Sequence, residues 1–360
     1  MLKYLIKKLL YSILVLWGVV TLIFFLFNVL PGDPSRMVLG QRTDVISLEN
    51  IRNDLGLNRS AFMQYIKYLN DLSPVSVHNY SDSKSYFYLD KSKYSSYYEL
   101  LKISKSKEIV LKLPYLRRSY QNKRDVSSII SETLPNTFIL AFISILFATV
   151  IGIFIGIIAA IKKDSLFDKL SLFFSVFGMS LPSFFAAILI GWIFAFVLGK
   201  YTGLNLTGNL YRIDDFGNGE YLELKNIILP VITLGIRPIA IVIQLSRNSL
   251  LDVLSQDYIR TAKAKGLSYK RIIIVHALKN SLNPVVTAIS GWFASLMAGV
   301  VFVEYIFGWK GLGFIIVDGL NKYDLPVVLG CVLTISILFI IINIFVDIIY
   351  GILDPRIRIS

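Results

Sequence analysis

Apolar residues along the chain gather into six long runs, separated by polar segments of very unequal length. A bilayer core is spanned by about 20 mostly apolar residues in a helix, so each run predicts a membrane span. Leu9 to Leu30 holds 22 residues without a charge, about 33 Å of helix. Phe138 to Ile161 is equally clean, and Leu170 to Leu198 is longer and carries Pro182. Ile227 to Ser246 contains Arg237, Leu282 to Val303 is uncharged, and Leu325 to Ile349 carries Asp347 near its end. In the fourth run, twelve Ile, Leu and Val residues outweigh the single Arg, roughly −4 to −7 against 2.5 to 3.5 kcal/mol on an insertion scale. It reads as a span that faces other helices rather than lipid. The first run is too long for a signal-peptide core and no A-x-A site follows it, so it reads as a retained anchor.

Between the first two spans lies a polar segment of about 105 residues. Leu30-Pro31-Gly32-Asp33-Pro34 is a turn-rich string that ends the first helix sharply. Ser47 is a candidate cap for a short helix carrying Leu48, Ile51 and Leu55, stopped by Gly56. Phe62, Tyr65, Ile66, Leu69 and Leu72 then recur at helical spacing. Residues 73–112 change character and become rich in Tyr, Ser and Lys, with six Tyr between Tyr80 and Tyr98. That composition favours a small surface subdomain or partly flexible insertion over a dedicated partner-binding surface. Asp125 is placed to cap a helix bearing Val126, Ile129 and Ile130, and Leu134-Pro135-Asn136-Thr137 leads into the second span. There Gly152 and Gly156 form a GxxxG pair, either a site of close helix approach or the ordinary glycine content of membrane helices.

The segment 247–281 is the most informative polar stretch. Leu251, Leu254, Tyr258 and Ala262 form a stripe at helical spacing, with Arg260, Lys263 and Lys265 off it. Gly266 suits a helix C′ position, and Ser268 is a candidate cap for a helix running to about Asn280. The pattern is helix, glycine turn, helix, held between two spans. Such an amphipathic element suits docking of a soluble partner; composition alone also fits a basic loop lying on lipid head groups.

Composition supports the membrane class. Charged residues are 17% where about 25% is usual in soluble proteins, and the mean hydropathy is +0.63. The net charge of +13 raises the question of nucleic acid, and the placement of the charges argues against it. With the N-terminus inside, the short cytoplasmic segments hold fifteen Lys and Arg and the short outer loops five, which follows the positive-inside rule. Most of the excess charge is thus a topology signal, with both termini expected inside. Cys331 is the single cysteine, so no intrachain disulfide forms. His78 and His276 are the only histidines and lie far apart, so no zinc site is expected. HExxH, GxSxG and GxxxxGK[ST] are absent, which removes the common hydrolase and nucleotide-binding signatures. Arg237 within a span and Glu304 at a span edge are functional candidates by default. A structural role is favoured over that one for both, for Arg237 as a donor to carbonyls freed by Pro230 or Pro238.

Several of these stretches carry a family resemblance. Asp257-Tyr258-Ile259-Arg260-Thr261-Ala262-Lys263-Ala264-Lys265-Gly266-Leu267-Ser268, followed by His276-Ala277-Leu278-Lys279-Asn280, resembles the cytoplasmic signature of inner-membrane permeases of binding-protein-dependent ABC importers. It is most similar to the B-type oligopeptide and dipeptide permease subunits. Leu30 to Pro34, Glu304-Tyr305-Ile306-Phe307-Gly308-Trp309-Lys310-Gly311-Leu312-Gly313 and Asp354-Pro355-Arg356 fit the same branch. The likeness covers nearly the whole chain except about 73–112. It departs from the general Glu-Ala-Ala-x3-Gly signature, which here reads Arg260, Thr261, Ala262 and then Gly266. It departs again at Lys310, where the family usually has Pro.

The resemblance implies an all-α polytopic membrane protein of six transmembrane helices, the type I ABC importer permease fold, with a large extracytoplasmic loop between helices 1 and 2. The expected organisation is an anchor over 1–30, an outer loop over 31–135 with its insertion near 73–112, and a permease core over 136–360. It further implies a non-catalytic translocation subunit for oligopeptides or dipeptides in a bacterial or archaeal cell membrane. Its partners would be a second homologous permease, two ATP-binding subunits that use ATP and Mg, and an extracytoplasmic peptide-binding protein; no cofactor is bound by this chain. Asp257 to Gly266 would be the contact with an ATPase groove, with Tyr258 and Ile259 as apolar anchors; the pathway candidates remain Arg237 and Glu304, named for their charge and not by the resemblance. Nickel or another small solute is an alternative cargo, and an ATP-independent secondary transporter an alternative class. Against the latter, no paired interrupted helices or inverted repeat are visible.

Overall fold

The computed structural model describes residues 2–29, 35, 49, 52, 56–83, 85–90, 93, 94, 96–214 and 219–353. Four helices are long and apolar enough to cross a bilayer: Ile6–Phe27, Val126–Ile161, Lys225–Leu254 and Leu325–Ile348. Two more apolar stretches are bent pairs, Leu166–Ser180 with Ser183–Val197 at 111° and Tyr269–Ser281 with Asn283–Met297 at 47°. Counted as one span each, they bring the total to six, as the apolar runs predict. The single 29-residue span expected over Leu170–Leu198 is corrected in form. Pro182 lacks the N–H a continuous helix needs and excludes helical geometry from the residue before it, so Leu181 is extended and the chain turns sharply. The second leg ends in a π-helical stretch, Gly191–Val197.

The chain divides into two units, Met1–Lys8 with Thr133–Phe314 and Ile335–Ser360, and Leu9–Glu132 with Ile315–Thr334. In the first unit, the Lys225–Leu254 helix is central, and 67% of its apolar window is buried, as its span was expected to face other helices. The GxxxG pair decides for close approach. A Cβ on Gly152 would lie 2.7 Å from Val242, and one on Gly156 2.7 Å from the Ser246 side chain and 2.8 Å from the Ile243 carbonyl. The Val126–Ile161 helix therefore lies backbone to side chain against Lys225–Leu254, a contact that any larger residue would push apart. Asp347, the acid in the last span, is paired with Lys8.

In the second unit, Ser60 accepts from the Met63 N–H and caps the Ala61–Leu72 helix. Tyr65 and Tyr68 from that helix pack with Val20, Phe24, Tyr120, Leu325, Leu329 and Leu333. Residues 75–112 build a three-stranded antiparallel sheet from β1 (Val75–Asn79), β2 (Tyr97–Lys102) and β3 (Lys107–Lys112), in the order β1-β3-β2. Its polarity is inverted. Ser76, His78, Glu108 and Lys112 are buried, while Val75, Val77, Tyr98 and Leu111 are exposed. The helix expected after Ser47 and the motifs at 30–34 and 354–356 lie outside the described residues.

The helix expected to begin after Asp125 and the second span are one 36-residue helix that runs through Pro135. Asp125 does lie just before it, and its carboxylate accepts from Arg118 Nε at 2.9 Å.

Candidate functional site

The segment 247–281 folds as the sequence predicts, with one shift. Its first residues belong to the Lys225–Leu254 helix, which runs on until Ser255. A separate helix covers Asp257–Ala264. Gly266 then adopts φ +78°, and a Cβ there would meet nothing within 4 Å, so the backbone conformation alone demands glycine. Gly266 N–H donates to the Lys263 carbonyl at 2.9 Å and Leu267 N–H to Ala262 at 3.3 Å, closing the helix end. Ser268 stands at the next cap with extended backbone but makes no side-chain cap bond. The return leg is Tyr269–Arg271, a π-helical turn Ile272–Ala277, and Leu278–Ser281.

The structure sorts the ten candidate contact residues into two sets. Asp257, Tyr258, Arg260, Thr261, Lys263, Ala264, Lys265 and Gly266 are exposed. Ile259 and Ala262 are buried in a cluster with Ala160, Leu250, Ile272 and Ala277. Ile259 is therefore not available to a partner as an anchor; with 0% exposure it fastens the helix to this chain. Only Tyr258 of the two expected anchors is presented, its hydroxyl accepting from Asn280 Nδ2 at 3.0 Å. The Asp257–Arg260 pair at 3.4 Å is almost fully solvated and contributes little to stability.

Behind this element sits a contact that sequence reasoning missed. Arg247, at the end of the fourth span, donates to Asp168 through Nε at 2.5 Å and Nη2 at 2.7 Å. Asp168 is 2% exposed, and its other carboxylate bond comes from the Asp164 N–H. The bidentate fork joins the 162–169 turn to the helix that leads into 255–281. No spacing rule links residues 79 positions apart.

Glu304 is completely buried. It accepts from Thr137 Oγ1 at 2.7 Å, from the Gly313 N–H at 2.7 Å and from the Phe314 N–H at 3.2 Å. Those last two are free N–H groups at the start of the Leu312–Asn321 helix, so the carboxylate meets the positive end of that helix. Leu312 N–H donates to Thr137 Oγ1 at 2.8 Å. A Cβ on Gly311 would overlap Glu304 and Thr137, and one on Gly313 would overlap the Val301 backbone. The turn stays tight without proline at position 310. Lys310 N–H donates to Asn209 Oδ1 at 2.5 Å, its carbonyl accepts from Asn136 Nδ2 at 2.9 Å, and the buried Trp309 donates its indole N–H to the Asn136 carbonyl at 3.1 Å. Every bond that Glu304 makes here serves the fold.

Arg237 is exposed and, among the described residues, makes no hydrogen bond or ion pair, so the expected bonds to freed carbonyls are not made. Gln244 and Asn248 follow at i+7 and i+11, within about 20° of it around the helix. This polar line on the least covered face of the Lys225–Leu254 helix was missed because only the charged residue was singled out. Among the described residues no group of three or more His, Cys, Asp and Glu forms a metal site.

Comparisons with known proteins place the chain in a family. Residues 152–359 match the model of the binding-protein-dependent transport system inner membrane component, and residues 1–84 match that of the N-terminal part of such membrane components. The chain is 32% identical over 371 residues to a dipeptide transport system permease protein, DppB, of Alkalihalophilus pseudofirmus, covering 99% of this chain and all of that one. It is also 32% identical over 358 residues to a glutathione transport system permease protein, GsiC, of Pectobacterium atrosepticum, covering 99% of each. A solved structure of the MetNI methionine ABC transporter, in an inward-facing conformation, aligns with a TM-score of 0.48 and 17% identity over 62% of this chain and 95% of that one. The protein is a multi-pass membrane protein and belongs to the family of binding-protein-dependent transport system inner membrane components.

Proposed function

We propose that this chain is a translocation subunit of an ATP-driven importer of dipeptides or oligopeptides. The observation that carries the reading is the end-to-end similarity to permeases named for dipeptide and glutathione transport. Glutathione is itself a small peptide, so the two relatives share a cargo class. The chain performs no catalysis; ATP and Mg are used by two partner ATPase subunits. A second homologous permease completes the pathway and an extracytoplasmic binding protein delivers the cargo. Both termini and the segments 162–169 and 247–281 face the cytoplasm, in line with their Lys and Arg content.

The exposed residues from Asp257 to Gly266 dock on an ATPase subunit. Two features support them in that role: a rigid short helix fastened from behind by Ile259 and Ala262, and a solvated outer face carrying Tyr258, Arg260 and Lys263. Motion of the ATPases reaches the spans through the direct seat of this helix on Leu250 and Ala160, a rigid-body transmission. Arg237 lines the pathway. An uncompensated cation on the open face of a span is stable where water or a charged cargo reaches it.

The test is peptide uptake into vesicles carrying the assembled importer, with ATP or a non-hydrolysable analogue. ATP-dependent uptake is expected, and uptake independent of hydrolysis would overturn the reading. Gly266→Asp is expected to insert normally and to lose both uptake and co-purification of the ATPases.

A further inference from the structure

The second unit contains a cavity of about 620 Å³ lined by residues between Gly56 and Lys123. That volume falls in the range of small-ligand sites, roughly 300–1,000 Å³. Its floor is an unusual charge cluster. Asp71, 2% exposed, accepts from Arg117 Nε at 2.9 Å and from the Tyr94 hydroxyl at 2.8 Å, and pairs with Lys67 at 3.3 Å. Behind it, buried Lys112 donates to the Asp71 carbonyl at 2.5 Å and the Ser73 carbonyl at 3.2 Å. Three largely buried cations thus surround one carboxylate. Buried charges are normally balanced; among the described residues Asp71 is the one carboxylate that these three cations meet. Burial disfavours the Asp71 carboxylate, but Arg117 and Lys67 outweigh it and hold the acid below its usual range. Burial pushes the Lys112 ammonium down to about 8.

The same sign continues to the mouth. Arg59 and Lys123 line the cavity, are exposed, and have no acidic partner among the described residues. The remaining lining acid, Asp90, is paired with Lys93 at 3.5 Å. Tyr86 and Tyr115 add aromatic wall and hydroxyl groups. Gly56 lets that wall close in: it holds φ +69°, and a Cβ there would lie 3.0 Å from the Tyr86 ring.

We propose that this cavity binds the carboxylate end of a short peptide, with Arg59 and Lys123 as the anion contacts. The preference for an anion follows from the cavity itself; the peptide rests on the function proposed above. Arg presents a fork that matches a carboxylate, and the tyrosine hydroxyls suit peptide amides. The site would hold cargo on this unit, apart from the polar line of Arg237.

The test titrates the full chain in lipid discs with trialanine, with trialanine amide, and with inorganic phosphate, at fixed ionic strength. Trialanine is expected to bind at least tenfold more tightly than its amide. The double variant Arg59→Gln, Lys123→Gln is expected to erase that difference without shifting the melting temperature, since both side chains are exposed and unpaired. Equal binding of acid and amide, no binding of either, or selective binding that survives the double variant would overturn the proposal. Phosphate binding as tight as that of trialanine would overturn the peptide assignment. Normal ATP-driven uptake together with equal acid and amide binding removes the cavity proposal alone. Selective binding without uptake removes the importer reading alone.

Discussion

The two glycine-bearing charged motifs of the first unit, Asp257–Gly266 and Glu304–Gly313, look alike as sequences and are opposites as structures. In the first, the charged side chains stand in solvent and the glycine has open space around it, its φ alone setting the requirement. In the second, the acid is 0% exposed, and Gly311 and Gly313 are places where a methyl group has no room, while Gly308 is set by its φ of +64°. An unpaired solvated charge is inexpensive and free to meet a partner. A buried one must be satisfied on all sides, and Glu304 is, by one hydroxyl and two backbone N–H groups. The first motif presents its charges to solvent; the second is a knot that fixes the start of the Leu312–Asn321 helix.

The sharpest way to break this contrast is Gly311→Ala. The added methyl overlaps the bonded Glu304 and Thr137 side chains, so it both overpacks the site, about 1–3 kcal/mol, and breaks their buried hydrogen bond, about 1–3 kcal/mol more. A large fall in folded yield and melting temperature after extraction is expected, and a variant with wild-type stability would refute the knot. Glu304→Ala comes next. It strands two buried N–H groups, about 2–4 kcal/mol in all, whereas Glu304→Gln keeps an accepting oxygen and loses less. If both variants melt like the wild type yet fail to transport, Glu304 belongs to the pathway after all.

Gly266→Ala imposes a left-handed conformation on an L-residue, about 1–2 kcal/mol. Here a modest drop in melting temperature is expected alongside a much larger loss of transport. Smallest in stability is Arg260→Gln, within about 0.5 kcal/mol, with its effect confined to weaker co-purification of the ATPases. A reversed ranking between Gly266→Ala and Gly311→Ala in thermal stability would show that the two motifs had been assigned the wrong way round.

Much of this was legible along the chain. Periodicity found the six apolar stretches, the Phe62–Leu72 amphipathic helix and the helix–glycine–helix element, because each depends on spacing within one helix. Periodicity missed the break at Leu181–Pro182, since an apolar run says nothing about direction, and it merged the end of the fourth span with the element that follows. The sheet over 75–112 escaped because Ser76, His78, Glu108 and Lys112 turn inward beside Val110 while Val75, Val77 and Leu111 turn outward, against the usual alternation. Ile259 was read as an anchor because an apolar residue next to Tyr258 looks presentable; which of two neighbours turns inward depends on what lies behind the helix.

By itself, then, the sequence determined the membrane class, the number of apolar stretches, the charge asymmetry and the place of the helix–glycine–helix element. All of these follow from local composition and from spacing that a single helix imposes on its own residues. Only the tertiary structure decided which charges are satisfied and which are free. Glu304 finds its donors on Thr137, Gly313 and Phe314, Arg247 meets Asp168 across 79 residues, and Arg237 meets no partner among the described residues. A charge's cost is set by the groups within a few ångströms of it, and the chain order does not record who those neighbours are.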